Sequence, residues 1–226
     1  LIFDVDGTLT DSAGLTRVAL ERAAREIYAI DNATRGITAY GQTDVNIFSE
    51  ILVNNRLAVE DFEDHFTRFT GRYVTLLEEI LFASPRPRLQ PGVKDLLLRL
   101  VRESGMNMVL GTGNIEPGAR LKLKRHGIDH YFPTGGFGSD SGVRADLIRI
   151  AYERGCRHFG IPFPLKDVWV IGDTPNDVAA GRALGSKILA VATGMYARAE
   201  LETCQPDALM DDFSDNDRFI DVIRNG

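Results

Sequence analysis

Leu1-Ile2-Phe3-Asp4-Val5-Asp6-Gly7-Thr8-Leu9-Thr10-Asp11 opens the chain, and its reading decides the rest. Three apolar residues read as the end of a buried strand, with two carboxylates following at once, two positions apart. Gly7, Thr8, Thr10, Asp11 and Ser12 supply turn and capping chemistry. Strand alternation puts Asp4 and Asp6 on one side of an extended segment, about 6–7 Å apart. Acids that close at a strand end repel, unless a cation sits between them or one keeps a proton. Such a D-x-D pair also occurs on solvated turns, so its meaning depends on what the remaining chain brings beside it.

The composition narrows the field. With 226 residues the chain is long enough for one large domain, or for a core domain and a smaller one. A hydrophobic fraction of 44% and a charged fraction of 26% are those of an ordinary soluble globular protein. A net charge of −6 argues against nucleic acid or an anionic membrane as the main partner. Cys156 and Cys204 stand alone without C-x-x-C spacing, so a disulfide or zinc site is not expected and a cytoplasmic location fits. No run of 18 apolar residues suggests a membrane span. The chain starts inside a strand and without methionine, which suggests further residues upstream.

Ser12 is a candidate N-cap for a helix over residues 13–29, with helical spacing at Leu15, Val18, Ala19, Ala23 and Ile27. Two further helices are expected over 43–54 and 59–82, the second with an aromatic stripe that reads as a packed face. Residues 12–90 are therefore expected to form a helical domain. Pro85, Pro87, Pro91 and Gly92 mark its exit. From there helices alternate with short apolar strands. Helices are expected over 93–103, 116–126, 144–157, 176–184 and 215–223. Strands are expected over 107–110, at Tyr131-Phe132, and over 168–171 and 187–191. This alternation predicts an α/β core of residues 1–11 and 91–226, a Rossmann-like parallel sheet covered by helices on both faces.

In such a sheet ligands bind beyond the carboxyl ends of the strands. Strand 1 delivers Asp4 and Asp6 there, the strand at 107–110 delivers Thr112, and the strand at 168–171 delivers Asp173 and then Asp177. Several carboxylates in one crevice call for a hard cation with oxygen ligands, and Mg²⁺ fits best. Thr112, with the amides of Gly113 and Asn114 at the start of the next helix, suits a phosphate. Thr174 and Pro175 make Asp177 a candidate capping-box acid as well as a site residue. Acids and anion cradle together point to metal-assisted phosphoryl chemistry.

Three motifs then carry a family resemblance. D-V-D-G-T-L-T-D at 4–11, V-L-G-T at 109–112 and W-V-I-G-D-T-P-N-D at 169–177 resemble the first, second and fourth motifs of the haloacid dehalogenase superfamily. Their order and spacing resemble its phosphoglycolate-phosphatase-like subgroup with a helical cap between the first two motifs. The resemblance implies a phosphatase acting on a small phosphorylated metabolite, as a monomer or homodimer. In it Asp4 is the nucleophile that becomes an aspartyl-phosphate. Asp6 is the acid that protonates the leaving group and then activates water. Mg²⁺ is held by Asp4, the backbone carbonyl of Asp6, and Asp173, while Thr112 binds a phosphoryl oxygen and Asp177 acts from behind.

The chain departs from that pattern in one place. The family's third motif carries a lysine, yet no lysine lies between Lys124 and Lys166. Arg144 is the match by position and is assigned that catalytic role, while Lys122 and Lys124 lie too deep in their helix. A phosphonate hydrolase is disfavoured, since residues 12–93 contain no lysine for a Schiff base. A hexose-phosphate mutase and a catalytically silent binding module are the alternatives. Substrate choice is expected from Arg35-Gly36-Ile37 and Gly41-Gln42-Thr43-Asp44.

Overall fold

The computed structural model describes residues 1–102 and 106–226. Six parallel strands form one sheet: β1 (Ile2–Phe3), β4 (Val109–Thr112), β5 (Gly135–Phe137), β6 (Trp169–Gly172), β7 (Lys187–Val191) and β8 (Ala208–Met210). Their spatial order is β5-β4-β1-β6-β7-β8. Numbered by appearance, that is 3-2-1-4-5-6, the doubly wound order with a crevice where the winding reverses. The first strand thus sits centrally, with Ile2 paired to Val109 on one side and to Val170 on the other. The strands carrying the acids and the threonine are neighbours for this reason.

Alternation along β1 serves both faces. Phe3 faces a core that includes Leu97, Phe132 and Phe219, with its ring 5.8 Å from that of Phe132. Ile2 packs on the other face with Val109, Leu147, Ile148 and Val170. Helices α4 (Val93–Arg102), α5 (Glu116–Lys124), α6 (Arg144–Phe159), α7 (Pro175–Leu184), α8 (Arg198–Thr203) and α9 (Asn216–Asn225) fill the connections. Glu103, the last residue of the helix expected over 93–103, lies outside the described residues. None of the described helices is long and apolar enough to cross a membrane.

Between β2 (Thr10–Asp11) and β3 (Arg88–Leu89) lie three helices, α1 (Leu15–Tyr28), α2 (Asp44–Asn54) and α3 (Phe62–Ala83). They share a separate apolar cluster built on Ala19, Phe48, Ile51, Phe69, Tyr73 and Leu77, which Ile115 of the α/β part joins. The aromatic stripe on α3 is packing, as its spacing indicated: Phe62, Phe66 and Phe69 surround Phe48.

Several local expectations need correction. The strand expected at Tyr131-Phe132 is instead a 3₁₀ turn over Asp129–Tyr131, and the edge strand is Gly135–Phe137. Glycine is required there, because a Cβ on Gly136 would lie 1.9 Å from the carbonyl oxygen of Leu147. Ser12 does not cap α1; the cap position is Gly14, with no side-chain hydrogen bond, and Ser12 pairs with Thr16 instead. The two crossings between the helical segment and the sheet form a short ribbon of their own. They pair antiparallel, Thr10 with Leu89 and Asp11 with Arg88. The short α8 and β8 carried too little periodicity to be noticed.

Candidate active site

The turn after β1 is set by its own backbone. The amides of Leu9 and Thr10 both donate to the carbonyl of Val5 at 2.9 Å, and Gly7 adopts φ 82°. A Cβ on Gly7 would fall 2.3 Å from Asp173 Oδ2, so the glycine is needed for space as well as conformation. Gly194 gives Asp173 room from the opposite side, where a Cβ would lie 1.7 Å from the same oxygen. The Thr8 hydroxyl, read from sequence only as turn chemistry, donates to Asp173 Oδ1 at 2.8 Å.

Asp4, Asp173 and Asp177 gather as buried carboxylates, each offering an oxygen within 4.8 Å of the others. Asp177 is the N3 residue of a capping box on α7: its Oδ2 accepts from the Thr174 amide and hydroxyl, while Thr174 Oγ1 caps the Asp177 amide. Gly172 admits it, since a Cβ there would lie 2.3 Å from its carboxyl carbon. Arg144, the first residue of α6, inserts its guanidinium between two of the acids. One Nη2 lies 2.8 Å from Asp4 Oδ1 and 2.5 Å from Asp177 Oδ1.

Three acids against one guanidinium leave surplus negative charge in a dry place. Burial, followed by the charges of Asp177 and Asp6, pushes Asp4 up to about 6 despite Arg144. Asp173 is raised well above its usual range by burial and then by Asp4 and Asp177. Burial alone would make the Arg144 charge easier to lose, but Asp177 and Asp4 overcome it and hold the guanidinium charged. A hard divalent cation offsets such a donor set, so the residues present fit one.

Asp6 is turned elsewhere. Its Oδ2 accepts from Lys122 Nζ at 2.5 Å and from Asn114 Nδ2 at 2.8 Å. Lys122 also donates to Asn114 Oδ1 at 2.6 Å, and Asn114 Nδ2 reaches Thr112 Oγ1 at 2.8 Å. Asp6 Oδ1, shielded from solvent, has no hydrogen-bond partner among the described residues. Lys122 does lie deep in its helix, and Arg144 rather than Lys122 is the cation against Asp4, but the expectation did not foresee that Lys122 reaches Asp6. It sits deep and inward, with a side chain 1% exposed, and its ammonium surfaces among the site residues. Lys124 is on the exposed side of α5.

The expected anion cradle is partly engaged from across the crevice. Asp44, the first residue of α2, accepts from the Ile115 amide at 2.8 Å, and its own amide donates to the Gly113 carbonyl at 2.7 Å. Ile115 stands at the N-cap of α5 without a side-chain cap, so an acid from another element supplies it. Burial raises Asp44 to about 6. The hydroxyl of Tyr73 on α3, raised by burial and then by Asp44 and Asp6, also lacks a partner among the described residues. Asn176 donates to the Gly41 carbonyl and Asn46 to the Gly142 carbonyl, so residues 41–46 span the crevice. Of the two stretches expected to choose the substrate, this one meets the sheet, whereas Arg35 is exposed.

Residues 1–185 match the family model for haloacid dehalogenase-like hydrolases. The chain belongs to that family. Curated relatives include phosphoglycolate phosphatases from Pectobacterium atrosepticum, 25% identical over 95% of this chain and 89% of theirs, and from Synechococcus elongatus, 27% identical over 95% and 93%. A shorter match to the Haemophilus influenzae phosphoglycolate phosphatase is 29% identical and covers 56% of this chain and 55% of that one. Among solved structures, a hydrolase from Pseudomonas syringae superimposes with TM-score 0.73 at 23% identity, covering 97% of this chain and 96% of that one. The family's sheet and helical layers are therefore the observed ones, and the chain stands with the family's phosphatases.

Proposed function

We propose that the protein is a Mg²⁺-dependent phosphatase that hydrolyses a small phosphorylated metabolite through an aspartyl-phosphate on Asp4. The observation that carries this is the division of labour between two acids on one turn. Asp4 lies in the buried carboxylate cluster against Arg144, while Asp6 is held apart by Lys122 and Asn114. A nucleophile and a proton carrier need such different surroundings.

Asp4, Asp173 and the backbone carbonyl of Asp6 would hold the metal, with Asp177 behind them. When bound, Mg²⁺ lowers the repulsion between a phosphate dianion and the attacking carboxylate. An Asp4 oxygen attacks phosphorus, and the ester P–O bond breaks with its electron pair leaving on the alkoxide. Asp6 gives that oxygen its proton, releasing the alcohol. Asp6, now a carboxylate, takes a proton from water as the water oxygen attacks phosphorus, which restores Asp4 and frees inorganic phosphate. Thr112, Gly113, Asn114 and Arg144 donate hydrogen bonds to the phosphoryl oxygens and stabilise the negative charge that grows there.

The names of the relatives make 2-phosphoglycolate the first substrate to try. Phosphate release, measured with and without EDTA and restored by Mg²⁺, tests the reading and separates hydrolysis from sugar-phosphate isomerisation. Asp4→Asn removes a buried charge and keeps the shape, so it should fold, with melting temperature retained or raised, and lose at least ~10²-fold in turnover. Turnover within about tenfold of wild type would sink the aspartyl-phosphate route.

A further inference from the structure

We propose that Lys122 is a positioning residue for proton transfer by Asp6, an inference that rests on the phosphatase reading above. Lys122 belongs to the buried face of α5 together with Gly118, Ala119 and Leu123. A lysine stem can pack there as a methionine would, and an apolar isostere is often no less stable than a buried ion pair. Here the ammonium is spent on two charge-assisted bonds, to Asp6 Oδ2 and to Asn114 Oδ1. Asn114 in turn donates to Asp6 Oδ2 and Thr112 Oγ1, which closes a rigid ring around one carboxylate oxygen.

This ring decides which oxygen of Asp6 does the chemistry. Oδ2 accepts two donors, so a proton placed on it would displace one of them. Oδ1, without a hydrogen-bond partner among the described residues and shielded from solvent, is the oxygen left to carry the proton. When Oδ1 gives its proton to the leaving alkoxide, negative charge returns to a carboxylate already facing the Lys122 ammonium. The departing proton thus leaves behind a compensated charge, and the two bonds on Oδ2 hold the side chain in place.

The expected signature is a dependence on the leaving group. A p-nitrophenolate leaves without help, whereas an alkoxide needs the proton from Asp6. For Lys122→Met, kcat/KM for 2-phosphoglycolate, or for glycerol 3-phosphate if that is the alkyl ester turned over, should fall ~10²-fold or more. For p-nitrophenyl phosphate the fall should be at least about tenfold smaller, because that leaving group needs no proton in the first phosphoryl transfer, which kcat/KM reports. Loss of the bond to Asn114 acts on both esters alike. The ratio of the two rates in one preparation cancels any unfolded fraction. Lys122→Arg, which keeps charge and donors, should recover part of the alkyl rate. On an Asp6→Asn background, Lys122→Met should add less than about threefold, since both act on one step.

An equal loss with both esters, or full additivity with Asp6→Asn, would overturn the assignment and leave Lys122 a structural ion pair. Wild-type protein inert toward all three esters would remove the phosphatase reading, and this inference with it. A normal wild type with an unchanged leaving-group ratio in Lys122→Met removes the inference alone.

Discussion

At the scale of single residues, the site is governed by how few cations face its acids. Arg144 lies against both Asp4 and Asp177, with a side chain only 10% exposed. Removing it leaves two buried carboxylates facing each other, and breaking a buried pair costs about 3–5 kcal/mol. Arg144→Ala should therefore lower kcat ~10²–10³-fold, the scale of losing one donor at a developing charge, and destabilise the fold as well. Arg144→Lys separates the two effects. It restores charge but not the planar Nε–Nη2 edge that grips Asp177 Oδ1 and fixes Nη2 against Asp4, so stability should recover more than kcat. Denaturant melts and steady-state rates on the same two variants check this. Full activity in Arg144→Ala would leave the arginine a buried structural counter-ion with no part in catalysis.

At the scale of elements, α5 depends on an acid that belongs to another helix. Asp44 supplies the cap that Ile115 cannot, and burial raises its carboxyl from 3.8 to about 6. An acid whose folded value is raised binds more protons when folded than when unfolded across that interval. Its contribution is fully present below pH 4 and is lost as pH rises through 6. Asn cannot ionise, yet its amide oxygen can still accept from the Ile115 amide. The stability of Asp44→Asn relative to wild type should accordingly rise by on the order of 2–3 kcal/mol between pH 4 and pH 7. Urea melts at the two pH values read the difference, and the effects of Asp4 and Asp173 cancel because both proteins share them. A pH-independent difference would mean that Asp44 ionises freely. Capping also ties this acid to position: moving α2 away from α5 uncovers the Ile115 amide.

At the scale of the whole molecule, residues 12–90 are proposed to open and close over the crevice as a cap. Their own apolar cluster lets them move as a body, and the β2–β3 ribbon joins them to the sheet. Gly41 in the loop before α2 and Asp44 and Asn46 in its first turn touch the core at Asn176, Gly113 and Gly142. Gly113 permits the closest approach, because a Cβ there would lie 2.0 Å from the Gln42 carbonyl oxygen. Gly113→Ala should hold the cap ajar, raising hydrogen exchange at residues 41–46 and the KM for substrate while the separate sheet core keeps its protection. Exchange at 41–46 identical to wild type would show that the loop yields without opening.

The sequence by itself determined the α/β class, the alternation of helices with the strands that carry the site, and three acids of the crevice. Asp4, Asp6 and Asp173 follow short apolar strands, and strands buried on both faces reveal themselves as unbroken apolar runs. Arg144 was legible from position and from the lack of a nearby lysine, and the Thr174–Asp177 capping box from its spacing. Only the tertiary structure decided how the charges were shared. Lys122 and Asp44 are polar residues on faces otherwise apolar, and periodicity records the face without saying which partner waits beyond it. The Gly118-to-Lys122 step along α5 was the available signal, a lysine one turn from a buried glycine on a helix that starts in the crevice. The edge strand Gly135–Phe137 escaped notice because two of its three residues have no side chain. Its place is set by Leu147 and Leu110 pressing against bare backbone, contacts that exist only once α6 and β4 have met it.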